Sequence, residues 1–214
     1  MSTTTSTPTP IAASPTSRLR APARREQLLD VTSEIVTEQG FQAVSIQSVA
    51  RRAGISRPIV YEHFDDLPGL LHALVAREMS NAQAQIAETE LHDLSAGDPV
   101  ELMLDSLRRY LAAVERHPNT WRLVLMPPQG APELLRKSIA RGRASVLDSL
   151  IDAVRPVLKP TDDGPDPELT ARLLSAISDE YARLVLTDPG RFPPERLLTH
   201  ARWWLNEVRP SGLA

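Results

Sequence analysis

Apolar residues recur three and four apart from Leu28 nearly to the end of the chain, and nowhere do they alternate with polar ones over the length of a strand. The pattern predicts an all-α protein of about nine helices. Leu28, Leu29, Val31, Thr32, Ile35 and Val36, with Phe41 beyond, describe an amphipathic helix of about seventeen residues closed by Gly40. Ile46, Val49, Ala50 and Ala53 describe a shorter one, with Ser45 at its N-cap and Gly54 as a left-handed stop. Ser56 then caps a third helix, from about Arg57 to His63, with Pro58 in its first turn and Val60 and Phe64 turned to the core. Two short helices meeting at a glycine, the second polar on its free side, read as a helix-turn-helix.

A long connecting helix follows from Pro68, marked by Leu70, Leu71, Leu74, Val75 and Met79 and fading into the polar stretch Ala82 to Thr89. Leu102 to Val114, Trp121 to Met126, Glu133 to Leu158, Glu168 to Thr187 and Pro194 to Val208 carry the remaining helical patterns, and Pro127-Pro128 and 162–167 break them. The domains predicted are a tail over 1–17, a three-helix unit over 18–65 and a larger helical body over 66–214. The tail holds only Ser, Thr, Pro, Ala, Met and one Ile, too little apolar surface to order itself.

The chain of 214 residues contains no cysteine, so disulfides and thiolate chemistry are excluded. No apolar run reaches the ~18 residues of a membrane span, and the start has no signal-peptide pattern, so a cytoplasmic protein without a membrane partner is expected. The net charge of -3 is uneven, because Arg18 to Phe64 holds seven cations against five anions. A locally basic unit in an acidic chain fits a nucleic-acid partner for that unit alone. The five histidines are scattered, with no His-Glu-x-x-His, phosphate loop or nucleophile elbow, so no catalytic set, metal site or cofactor is expected.

Ser45-Ile46, Val49-Ala50, Ala53-Gly54, Ile55-Ser56 and Tyr61-Glu62-His63-Phe64 together resemble the DNA-binding signature of the TetR (tetracycline-repressor-type) family of bacterial transcriptional regulators. The resemblance covers residues 24 to 75. It implies that Gln47, Arg57, Pro58 and Ile59 approach base edges, while Ser45, Tyr61 and His63 approach phosphates. The chemistry agrees: Arg57 can fork to guanine, Gln47 can pair with adenine, and Pro58 and Ile59 can touch thymine methyls. One departure is Leu67, where family members often carry a phosphate-binding lysine; Arg24, Arg25, Arg51 and Arg52 are the substitutes at hand. Each residue also has a plainer reading, with Tyr61 a surface aromatic, His63 a core histidine and Arg51 and Arg52 a solvated pair.

For the body, the resemblance implies a homodimer formed by the last two helices, with Tyr181, Leu184, Leu197, Trp203 and Trp204 as interface residues. It also implies a ligand pocket between the other helices. Tyr110, Trp121, Leu125, Met126, Leu147, Ile177 and Tyr181 are its candidate apolar lining, with Arg122 or Arg143 as polar handles, and plain bundle core is the alternative for each. The function implied is a ligand-responsive regulator that binds double-stranded operator DNA, a repressor released by a small, mainly apolar effector. A helical interaction module without DNA binding and a small all-α enzyme remain the alternatives.

Overall fold

The computed structural model describes residues 20–89, 93–158 and 165–207, and nine α-helices and no strand lie among them. The expected tail over 1–17 lies outside the described residues. The helices are α1 (Ala21–Gln39), α2 (Ile46–Ala53), α3 (Arg57–Tyr61), α4 (Leu67–Ala87), α5 (Pro99–Arg116), α6 (Pro118–Leu125), α7 (Glu133–Val154), α8 (Pro167–Thr187) and α9 (Pro194–Glu207).

Local chemistry sets most of these boundaries. The Ser45 hydroxyl accepts from the Ser48 amide at 3.0 Å while Ser48 Oγ accepts from the Ser45 amide at 2.9 Å, a reciprocal cap on α2. Gly54 ends α2 at φ 66°, a left-handed conformation that L side chains adopt at a cost. Asp66 caps α4 by accepting from the Gly69 amide at 2.7 Å, and Asp166 caps α8 through the amides of Glu168 and Leu169. Two helices are shorter than their patterns. α3 stops at Tyr61 because the amides of His63 and Phe64 both turn back to the Val60 carbonyl at 3.0 Å, so His63 lies in the turn. α7 stops at Val154 because Pro156 has no amide to continue the ladder, although Arg155 before it keeps helical geometry at φ -54° and ψ -41°.

The core around the helix-turn-helix extends past residue 65. Leu28, Val36, Val49 and Val60 are fully buried there together with Leu70 and Leu74 of α4, Leu123 of α6 and Leu135 of α7. α4 and α7 are therefore rooted in the packing that fixes α3. In the body, α5 packs on α8 and α9, and α7 packs along α8. α7 is held at its two ends, by Leu135 in the N-terminal core and by Ala153 and Val154 in a small cluster with Leu94 and Ala171. Its inward face between those anchors carries Ser138, Gly142, Ser145 and Ser149, spaced four, three and four apart. Such small side chains leave space between α7 and the helices opposite.

Candidate DNA-contacting helix and ligand cavity

Gln47, Arg51, Arg57, Pro58 and Tyr61 are exposed together on the outer side of α2 and α3, with Tyr61 keeping 52% of its surface free. Ile59 and His63 are half-buried. Ser45 is exposed, and its hydroxyl is already engaged in the cap on α2. Arg51 and Arg57 have no ion pair among the described residues, so their guanidinium donors point to solvent unpaired.

The other cations near this surface are occupied. Arg52 spans to α1, 2.6 Å from Glu38 and 3.3 Å from Glu34, and its hydrogen bond holds the Glu38 carboxyl below the usual range. Arg25 lies over the Phe64 ring at 4.4 Å, a cation–π contact that ties α1 to the end of the helix-turn-helix. Arg24 donates to Gln27. Of the four arginines expected to replace the missing lysine contact, only Arg51 is unengaged among the described residues; the rest brace the domain. Leu67 itself is half-buried against the N-terminal core, which accounts for an apolar residue there.

Where α4 leaves the N-terminal unit, Arg77 bridges two helices. It lies 3.1 Å from Glu26 and 2.7 Å from Asp30 of α1, and 2.7 Å from Glu78 beside it. Glu78 is buried and also accepts from the Thr120 hydroxyl of α6. A carboxylate buried at that position needs both partners. Nothing in the local sequence announces this network beyond a charged pair inside an otherwise apolar helical stripe.

A cavity of about 740 Å³ lies between α4, α5, α6, α7, α8 and α9. Tyr110, Trp121, Leu125, Arg143, Ile177 and Tyr181 of the expected lining face it. Tyr110 and Trp121 meet edge to face, 5.0 Å between centroids, and Trp121 Nε1 donates to Gln85 at 2.8 Å. Three expected residues lie elsewhere. Leu147 is about 160° around α7 from Ser149 at 100° per residue, and it packs in the small cluster at the end of that helix. Met126, just past the end of α6, packs on the body's core without reaching the cavity. Arg122 donates to the Leu186 carbonyl at 3.2 Å, joining α6 to α8.

The polar group missed by sequence reading is Asp179. It faces the cavity from α8, 3.4 Å from Arg143 and 3.6 Å from Arg183, and takes a hydrogen bond from Tyr110. Burial pushes its carboxyl above the usual range, against the pull of both arginines and of Tyr110. Burial also raises the Tyr110 hydroxyl, so it stays a donor.

The interface candidates divide. Trp203 is 61% exposed, whereas Tyr181 and Leu197 are buried, Leu184 is half-buried against the core, and Trp204 lines the cavity. The inward spacing of α8 and α9 takes those residues into the monomer. Leu169 and Leu173, four apart on α8, belong to its apolar pattern but not to the expected interface set, and they are 60% and 64% exposed. No helix among the described residues is long and apolar enough to cross a membrane.

Residues 28–74, from within α1 to the first half of α4, match the profile described as bacterial regulatory proteins, tetR family. The chain is 31% identical over 98 residues to the HTH-type transcriptional activator FasR of Mycolicibacterium smegmatis, covering 46% of this chain and 40% of that protein. It is 37% identical over 84 residues to the HTH-type transcriptional regulator BetI of Escherichia coli, covering 39% and 42%. The alignments thus span about two fifths of the length of these curated relatives. A crystal structure of a TetR-like transcriptional regulator from Rhodococcus sp. RHA1 shares the fold, with a TM-score of 0.64 at 21% identity over 90% of this chain and all of that one. Signature and profile match agree on a tetR-type unit over residues 28–74, and the chain is similar there to the regulators FasR and BetI and in its fold to a TetR-like regulator.

Proposed function

We propose that the protein is a ligand-responsive transcriptional regulator that binds operator DNA as a homodimer and, as a repressor, leaves it when a small amphipathic effector fills the body. The observation that carries this reading is structural continuity. The cavity's walls include α4 and α7, and both helices are rooted in the core that fixes α3. An effector acts only through its differential affinity for two states, and a ~100-fold difference supplies nearly 3 kcal/mol. A shift of α4 or α7 on binding changes the distance between two α3 helices that must sit about 34 Å apart to read a near-palindrome. Leu169, Leu173 and Trp203 support the dimer as large apolar side chains left on the outside of the last two helices.

Gel shifts of the full chain on the DNA upstream of its own gene test the reading. A salt-sensitive, sequence-selective complex is expected, and Arg57→Ala is expected to relax preference at one base pair by about 1–3 kcal/mol. Equal binding to unrelated DNA removes the operator role. The name of FasR as an activator supports a second reading in which the liganded form binds. The two differ in the sign of the ligand's effect on the gel shift.

A further inference from the structure

The ion pair within the cavity wall, Asp179 with Arg143, states what kind of head group fits beside it. Most of the wall is apolar, with Trp121, Leu125, Ile177 and Trp204 among its large members. At the polar end Arg143 and Arg183 both face Asp179, and Arg183 is also drawn to the exposed Glu180, 3.3 Å away. Arg141, the other charged residue of the wall, is exposed and donates to Ser138 at 3.3 Å. A ligand carboxylate would have to compete with Asp179 for Arg143 while lying beside a like charge. A ligand ammonium would meet Arg143 and Arg183. A group carrying a donor and an acceptor side by side fits without either conflict, donating to Asp179 and accepting from Arg143.

Resting on the effector reading above, we infer that this cavity takes an uncharged amphipath whose head group is a hydroxyl, phenol or primary carboxamide seated between Asp179 and Arg143. Three further features agree. The Asp179–Arg143 separation of 3.4 Å is loose for a charged pair, so a third group can join it without breaking a tight bond. Tyr110 donates to Asp179 and so orients the carboxylate. Serines 145, 175 and 178 supply rotatable hydroxyls along the same walls, able to donate or accept as the ligand requires.

The test uses four probes with one apolar body: para-phenylphenol, para-phenylbenzamide, para-phenylbenzoate and para-phenylbenzylammonium. Each is titrated calorimetrically into the full chain at neutral pH. The phenol and the amide are expected to bind at least about tenfold more tightly than either ion, since like charges brought together are costly. Two variants reverse the discrimination in opposite senses. Asp179→Asn is expected to weaken the phenol and strengthen the benzoate, and Arg143→Gln to strengthen the benzylammonium. Thermal unfolding checks that both are folded, and Arg143, half-exposed at the rim, tolerates change if Asp179 does not. Benzoate or benzylammonium binding best, or no probe binding, overturns the inference, as does a ranking that both folded variants leave unchanged. If an ion binds best and still releases operator DNA, the regulator reading stands and the head-group assignment falls. If the neutral probes bind best and never alter the gel shift, the head-group assignment stands and the effector role falls.

Discussion

The helix-turn-helix and the larger body are both helical, yet they hold themselves together differently. In the N-terminal unit the short helices end in local devices, the reciprocal Ser45–Ser48 cap and left-handed Gly54, and Val49, Val60 and Leu28 are completely buried behind them. In the body, the long helix α7 is pinned at its two ends and crosses a cavity of about 740 Å³ between. The first arrangement fixes one surface in one shape, as a base-reading helix requires. The second leaves room for a guest. Packing that is complete in one half and incomplete in the other is what the proposed regulator needs, because an unfilled interior gives a ligand something to change.

The strongest challenge to this contrast is Val60→Asp. It places a carboxylate where no water or partner reaches, at a cost of at least about 4 kcal/mol, enough to unfold the N-terminal unit. Loss of helicity and of all DNA binding is expected by circular dichroism and gel shift. A variant melting within about 1 kcal/mol of the wild type would mean that this core is not the rigid half. Leu135→Ala is next, at about 2–5 kcal/mol by urea titration. Because Leu135 reaches from α7 into the N-terminal core, DNA binding should weaken although the change lies over seventy residues from α3. If DNA affinity holds, α7 is no lever. Gly54→Ala follows, at about 1–2 kcal/mol, since nothing crowds an added methyl there and only the φ of 66° opposes it.

The two halves also differ in how much of them the sequence discloses. Ser45, Gly54 and the Tyr61 to Phe64 ending signal their roles within a few neighbours, so α1, α2 and the start of α3 follow from capping and periodicity alone. The destinations of Arg25 and Arg52 do not, because Phe64 and Glu38 reach them only through the fold. In the body, periodicity separates inside from outside on each helix but cannot say which inside positions meet a neighbour and which meet a void. Ile177 and Leu147 carry the same apolar signal, and only one faces the cavity. Asp179 and the small residues of α7 look like ordinary polar positions until α8 is set against them. Trp203 and Trp204, adjacent in sequence, differ in exposure because successive residues on a helix point 100° apart.

The smallest expected effect is the most discriminating, because it pairs two glycines of opposite sign. Gly142 lies in the middle of α7, lines the cavity, and has no atom within 4 Å of where a Cβ would stand. Unlike Gly54 it has no positive φ to preserve. Its absent side chain therefore weakens a helix interior without serving a turn, and Gly142→Ala is expected to stabilise by about 0.5–1 kcal/mol, largely by restricting the unfolded chain. Urea titration of the Gly54 and Gly142 variants side by side should move the midpoint in opposite directions. One methyl takes little of a cavity this size, so probe binding should change little. A destabilised Gly142→Ala would show that α7 needs a glycine's freedom where it crosses the cavity, and the body would then be tuned for movement there as well as for space.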